Sequence, residues 1–199
     1  MSKGDHVFNN VVTKMLKAFE AGFVEYICAT KKPLKGADPD KLIRDKGYRN
    51  DWMSRTMPRT WALLEGFRDD PQLVTMRARL QTSTYRGGDV NTNAYSEHAQ
   101  EFELAVVAFF RKTAMTGSIL DENTILPVIA RVRRAFQQMN RDAEDPGATE
   151  RLLEQHKDDR REHEKITQDI NAVRESLSWA WARCERVFRM AANELLRLQ

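Results

Sequence analysis

From Ile166 to the end of the chain, apolar residues recur in alternating steps of four and three: Ile166, Ile170, Val173, Leu177, Ala180, Cys184, Val187 and Ala191. A seam of this period runs along one side of an α-helix and must be covered by another apolar surface. Trp179, Trp181 and Phe188 widen it beyond strict a and d positions. The spacing therefore predicts a long C-terminal helix docked into a bundle, with a two-stranded coil between two chains as the rival arrangement. In the rival case Ile166, Ile170, Val173, Leu177, Trp181 and Phe188 form the partner interface of an adaptor or a homodimer.

The rest of the chain repeats the helical period between proline and glycine breaks, and no stretch shows the strict alternation of a half-buried strand. Phe8, Val11, Val12, Met15, Leu16, Phe19, Phe23 and Ile27 place one apolar face on a helix over 5–30. Short helices are expected at 39–45, 52–56, 59–67 and 71–81, with Asp38 and Asp70 as N-caps ahead of prolines. The polar, glycine-containing stretch 83–93 reads as a loop. LeuAlaValValAlaPhePhe, at 104–110, is apolar nearly all round and suits a central helix over 95–115. Asp121 is placed to cap a following helix whose apolar face is Ile125, Ile129, Val132, Phe136 and Met139. The last segment, from 149, reads as one continuous helix, with 143–165 a charged helical extension or linker. The expected fold is all-α: a compact multi-helix bundle with a long C-terminal helix, in a single domain of 1–199.

At 199 residues, 41% hydrophobic and 31% charged, the chain has enough apolar surface for one core and not enough length for two full domains. Cys28 and Cys184 lie in apolar helical patterns without CxxC spacing, the pattern of reduced, buried thiols in a cytoplasmic protein. No stretch is apolar for long enough to span a bilayer and the start carries no leader-like core, so no membrane association is expected.

Catalytic and metal-binding patterns are missing. The four histidines, His6, His98, His156 and His163, include no HExxH and no ExxH spacing, and neither a phosphate-cradling glycine loop nor a nucleophile elbow is present. The nearest approach to an acid–base or metal cluster is Glu97, His98 and Glu101, a combination common on ordinary helix surfaces. No cofactor, metal or catalytic residue is expected, and an all-helical enzyme using that cluster ranks last among the functions considered.

What the sequence does offer is an uneven distribution of charge. The formal net charge is only +3, yet between positions 31 and 59 stand nine basic residues, Lys31, Lys32, Lys35, Lys41, Arg44, Lys46, Arg49, Arg55 and Arg59, against four aspartates. Tyr48, Trp52 and Trp61 are interleaved with them. Cations that neutralise phosphates beside rings that stack on unpaired bases are what single-stranded nucleic acid requires, although the same residues also serve as a core with a solvated rim. Arg131, Arg134 and Arg141 form a second basic stripe on one helix face, and they add to the first tract only if they face the same side. The expected function is a non-catalytic helical subunit of a larger assembly that contacts an RNA or single-stranded DNA backbone. A protein-interaction adaptor or homodimer is the alternative.

Overall fold

The computed structural model describes residues 3–30, 34–69, 71, 74–75, 92–116, 122–143 and 146–198. The side chains of 3–9, 67–69, 92–96, 116, 122, 124–125, 140–143, 146–149, 173 and 176–177 are outside the described set. Among the described residues all regular structure is helical. The helices are α1 (Lys3–Ala29), α2 (Pro39–Arg44), α3 (Lys46–Thr56), α4 (Pro58–Asp69), α5 (Thr92–Thr116), α6 (Glu122–Ala143), α7 (Pro146–Gln155) and α8 (Arg160–Leu198).

The expected apolar stripes set the packing. Helix α5 packs extensively on both α1 and α6. Helix α8, 39 residues and about 58 Å long at 1.5 Å per residue, touches α1, α4, α5, α6 and α7. An aromatic cluster forms where α1, α5 and α8 meet. There Phe110 meets Phe19 edge-on with centroids 5.7 Å apart and Phe188 edge-on at 6.1 Å, while Phe19 stacks on Phe188 at 6.0 Å. Phe136 of α6 joins the same core, with Trp181 at 5.1 Å and Phe102 at 5.8 Å. Each buried large side chain stabilises the fold by roughly 1.5–3 kcal/mol, so this aromatic cluster is a principal source of stability. Gly22 lets α1 approach α5, because a Cβ there would stand 2.3 Å from Phe110 Cδ2.

Several boundaries differ from the sequence expectation. Helix α3 begins at Lys46 and not at Trp52, because Asp45 caps it by accepting from Tyr48 N at 3.0 Å. The glycine and polar residues of that first turn conceal the helix from a propensity reading. Asp38 caps α2 as expected, accepting from Asp40 N at 3.1 Å and Lys41 N at 3.3 Å, with Pro39 at the first helical position. The proposed caps Asp70 and Asp121, the greater part of the 71–81 helix and the 83–93 loop up to residue 91 lie outside the described residues; residues 92–93 already belong to α5.

The segment after 149 is not one helix. It breaks at 156–159 and restarts where Asp159 accepts from Glu162 N at 3.1 Å, an aspartate side chain outcompeting the continuing helix for its backbone donor. Nor is α7 a free linker, since Leu152 and Leu153 are half-buried against the core. Cys184 is buried as expected, but Cys28 is exposed. Tyr26 and Ile27 occupy the inner face of α1, and the next residue, a further 100° round the helix, points outward.

Among the described residues no helix is long and apolar enough to cross a membrane, and no group of three or more His, Cys, Asp or Glu side chains is placed to hold a metal ion.

Candidate functional site

The basic tract folds into α2, α3 and the start of α4, which pack in sequence on one another, with α2 on α1 and α4 on α8. Its four aspartates are largely engaged in local structure. Asp38 and Asp45 cap α2 and α3, where a carboxylate is held by backbone N–H groups and the positive end of the helix dipole. Asp51 accepts from Arg55 Nη2 at 2.7 Å. That pair is exposed on both sides and contributes little to stability, but it takes Arg55 out of the uncompensated charge. Only Asp40 has neither task.

Lys35, Arg44, Lys46 and Arg59 are exposed, and their side chains form no ion pair with a described residue. Lys41 is exposed too, 4.0 Å from Asp38 and 5.8 Å from the centroid of the Tyr48 ring. Lys31 and Lys32 lie outside the described residues.

Arg49 does not belong to this surface. It lies at i with Trp52 and Met53 at i+3 and i+4, so it sits on the inner face of α3 and is 7% exposed. Its Nη1 donates to the carbonyls of Leu42 at 2.9 Å and Ile43 at 3.2 Å, near the open C-terminal end of α2, and its Nη2 pairs with Glu20 of α1. Arg49 is a clasp between α1, α2 and α3. A planar fork with several donors suits the task, because it meets two carbonyls and a carboxylate at once.

The three rings separate in the same way. Trp52 is 1% exposed in the core, 6.1 Å from Phe23, and offers no stacking face. The Tyr48 hydroxyl accepts from Asp38 N at 3.1 Å, which ties α3 to the cap of α2. Trp61 is half-buried and borders a groove of about 550 Å³ between α1, α3 and α4. Leu16, Phe19 and Phe23 of α1, Met53 of α3, and Trp61 and Leu64 of α4 make its apolar walls. Lys46, Asn50 and Glu65 stand among its polar residues, together with the Glu20–Arg49 pair. Sequence reading missed this groove because it needs three helix faces brought together, and each face alone reads as ordinary core periodicity.

The second basic stripe is elsewhere. Arg131 and Arg134 are exposed on α6, and the side chain of Arg141 is outside the described set. Helix α6 packs on α5 and α8, and it is not among the main neighbours of α2, α3 or α4. The described residues of the two basic tracts therefore stand on helices that are not main neighbours of one another.

Of the residues expected at a partner interface, Ile166, Ile170, Trp181 and Phe188 are 3–7% exposed and packed in this chain's own core. The side chains of Val173 and Leu177 are outside the described set. Ile166, Ile170, Trp181 and Phe188 are thus covered within the chain, so in this fold they are not exposed to a second one.

The Glu97, His98 and Glu101 group lies along α5 with both carboxylates exposed, and His98 Nδ1 stands 3.4 Å from Glu101 Oε2. Cys184 is held well above the ordinary thiol range, first by burial and then by the neighbouring Glu185 carboxylate, so it remains protonated and unreactive.

No protein-family model, curated protein sequence or solved structure matches this chain.

Proposed function

We propose that this chain is a non-catalytic helical subunit that holds a nucleic acid by its phosphate backbone, through the cations of the α2–α4 edge. The observation that supports the reading is the imbalance left after local pairing. Three of the four aspartates are engaged as caps or in a pair, while Lys35, Arg44, Lys46 and Arg59 are exposed on or just before the mutually packed helices α2, α3 and α4, without an ion pair to a described residue. Uncompensated cations fixed on short, capped helices make a surface complementary to a line of phosphates, and their affinity comes from counterion release. The burial of Trp52 and the tethering of Tyr48 remove two of the three rings from recognition, so binding along this edge is to the backbone and not to base identity.

The test is anisotropy of a labelled oligonucleotide between about 50 and 200 mM salt, over which a surface that neutralises several phosphates loses orders of magnitude in affinity. Lys41→Glu with Arg44→Glu should weaken every sequence alike and flatten the salt dependence by about one unit of log–log slope for each phosphate no longer neutralised. Arg131→Glu with Arg134→Glu, on the separate helix α6, should leave the slope unchanged. Absence of salt-sensitive binding by the wild type at low ionic strength would show that the edge is an ordinary solvated face.

A further inference from the structure

We infer that the groove between α1, α3 and α4 receives one unstacked base of a single strand whose phosphates lie on the neighbouring α2–α4 cations. This rests on the backbone-binding reading above and adds strand selectivity to it. The groove and the cationic edge are continuous. They meet at Lys46, which lines the groove and stands two residues from Arg44 at the junction of α2 and α3.

The groove's chemistry is divided as a nucleotide's is. Phe19, Met53, Trp61 and Leu64 supply an apolar interior with the half-buried Trp61 ring at its border, suited to the face of a base. Asn50 offers an amide donor and acceptor together, which matches the mixed donors and acceptors on a base edge, and Glu65 can accept from an exocyclic amino group. Glu20, the other carboxylate in the groove, is already paired with Arg49. A volume of about 550 Å³ lies within the usual range of preformed ligand sites and is more than a flat heterocycle needs. A chain that combines flat, largely apolar rings with regularly spaced anions satisfies floor and rim together. A purely apolar peptide anchor would fill the floor but make no use of the exposed Arg44 and Lys46 side chains beside it. A duplex keeps its bases stacked and can use only the cations.

The experiment uses the full chain and four probes: a single strand with one 2-aminopurine, the same strand made abasic at that position, the matching duplex, and an apolar fluorescent dye. Binding of the wild type should change the 2-aminopurine emission in the way stacking on an aromatic ring does. Affinity should rank single strand above both the abasic strand and the duplex. Trp61→Leu, which keeps an apolar side chain and removes the ring, should lower single-strand affinity by about 5- to 150-fold, the value of one base–aromatic stack, and leave duplex affinity where it was. Asn50→Ala, which leaves the walls of the groove intact, should lower single-strand affinity in the same direction. The oligonucleotide should also displace the dye.

If single strand, abasic strand and duplex bind alike and Trp61→Leu changes none of them, the groove inference is overturned while the backbone reading stands. A dye that stays bound under saturating oligonucleotide overturns it equally and leaves the groove to a protein segment. If no probe strand binds the wild type at low salt, the backbone reading has failed and the groove inference falls with it.

Discussion

Helix α4 starts without a capping side chain of its own. The residue before it is Met57, whose thioether is buried and too poor an acceptor to serve. Of the donors left open at a helix start, Met57 N is satisfied by Met53 O at 2.8 Å, and Pro58 has no N–H. Arg59 N and Thr60 N remain. Both are taken by Glu194 from α8, whose Oε1 accepts from Arg59 N at 3.1 Å and whose Oε2 accepts from Thr60 N at 2.9 Å and from the Thr60 hydroxyl at 2.6 Å. The carboxylate is 7% exposed and also faces the positive end of the helix.

Glu194→Ala removes three charge-assisted hydrogen bonds and strands two backbone donors in a buried place. At about 1.5 kcal/mol for each bond to a charged group, less what entering water returns to the donors, the expected loss is about 3 kcal/mol. For a chain of this size that lowers the melting temperature by roughly 6–12 °C. Glu194→Gln keeps the length and an acceptor but loses the charge and should cost about half as much. Thr60→Val removes only the hydroxyl bond. A double-mutant cycle between positions 60 and 194, measured by urea denaturation, should give a coupling of about 1 kcal/mol. The amides of Arg59 and Thr60 should exchange much faster in Glu194→Ala. A Glu194→Ala variant within about 0.5 kcal/mol of the wild type, or unchanged exchange at those two amides, would refute the inter-helix cap.

Gly22→Ala places a methyl 2.3 Å from Phe110 Cδ2, and that ring is wedged against Phe19, Phe109 and Phe188, so the α1–α5 interface must spread; a loss of about 1–3 kcal/mol is expected in denaturant titration, partly recovered by adding Phe110→Leu. In native protein a thiol reagent should label Cys28 and spare Cys184, with the second site appearing only on unfolding. The Cys184 thiol is raised in the folded state, so the folded chain holds that proton more tightly than the unfolded one. Its contribution is complete below the ordinary thiol range and is lost as pH rises above it, so stability should fall above about pH 9, and Cys184→Ala should show a shallower fall.

The amphipathic helices were legible in the sequence because their cause is local. A 3.6-residue repeat of Phe, Val, Met and Ile over 11–27 or 166–191 dictates both the helix and the face it buries, whatever covers that face. Asp38 before Pro39 marked a helix start for the same reason, since cap, donors and ring lie within four residues. What covers each face is a matter between segments far apart in the chain, and only the tertiary structure decides it. The seam on α8 suited a second copy as well as a bundle until Phe188 was placed against Phe19 and Phe110.

The candidate site divides along the same line. The excess of cations over 31–59 is a property of composition, visible at once. Which of them face solvent is a property of packing. Arg49 and Arg59 read alike as basic residues of one tract, yet Arg49 meets Glu20 across 29 positions and is buried, while the backbone at Arg59 meets Glu194 across 135 and leaves its side chain outside. Trp52 and Trp61 part in the same way, one into the core and one beside a groove that exists only where three helices converge. A linear pattern records the period of a face and the charge of a segment. It does not record the distance between two segments, and burial, pairing and cavities are all functions of that distance.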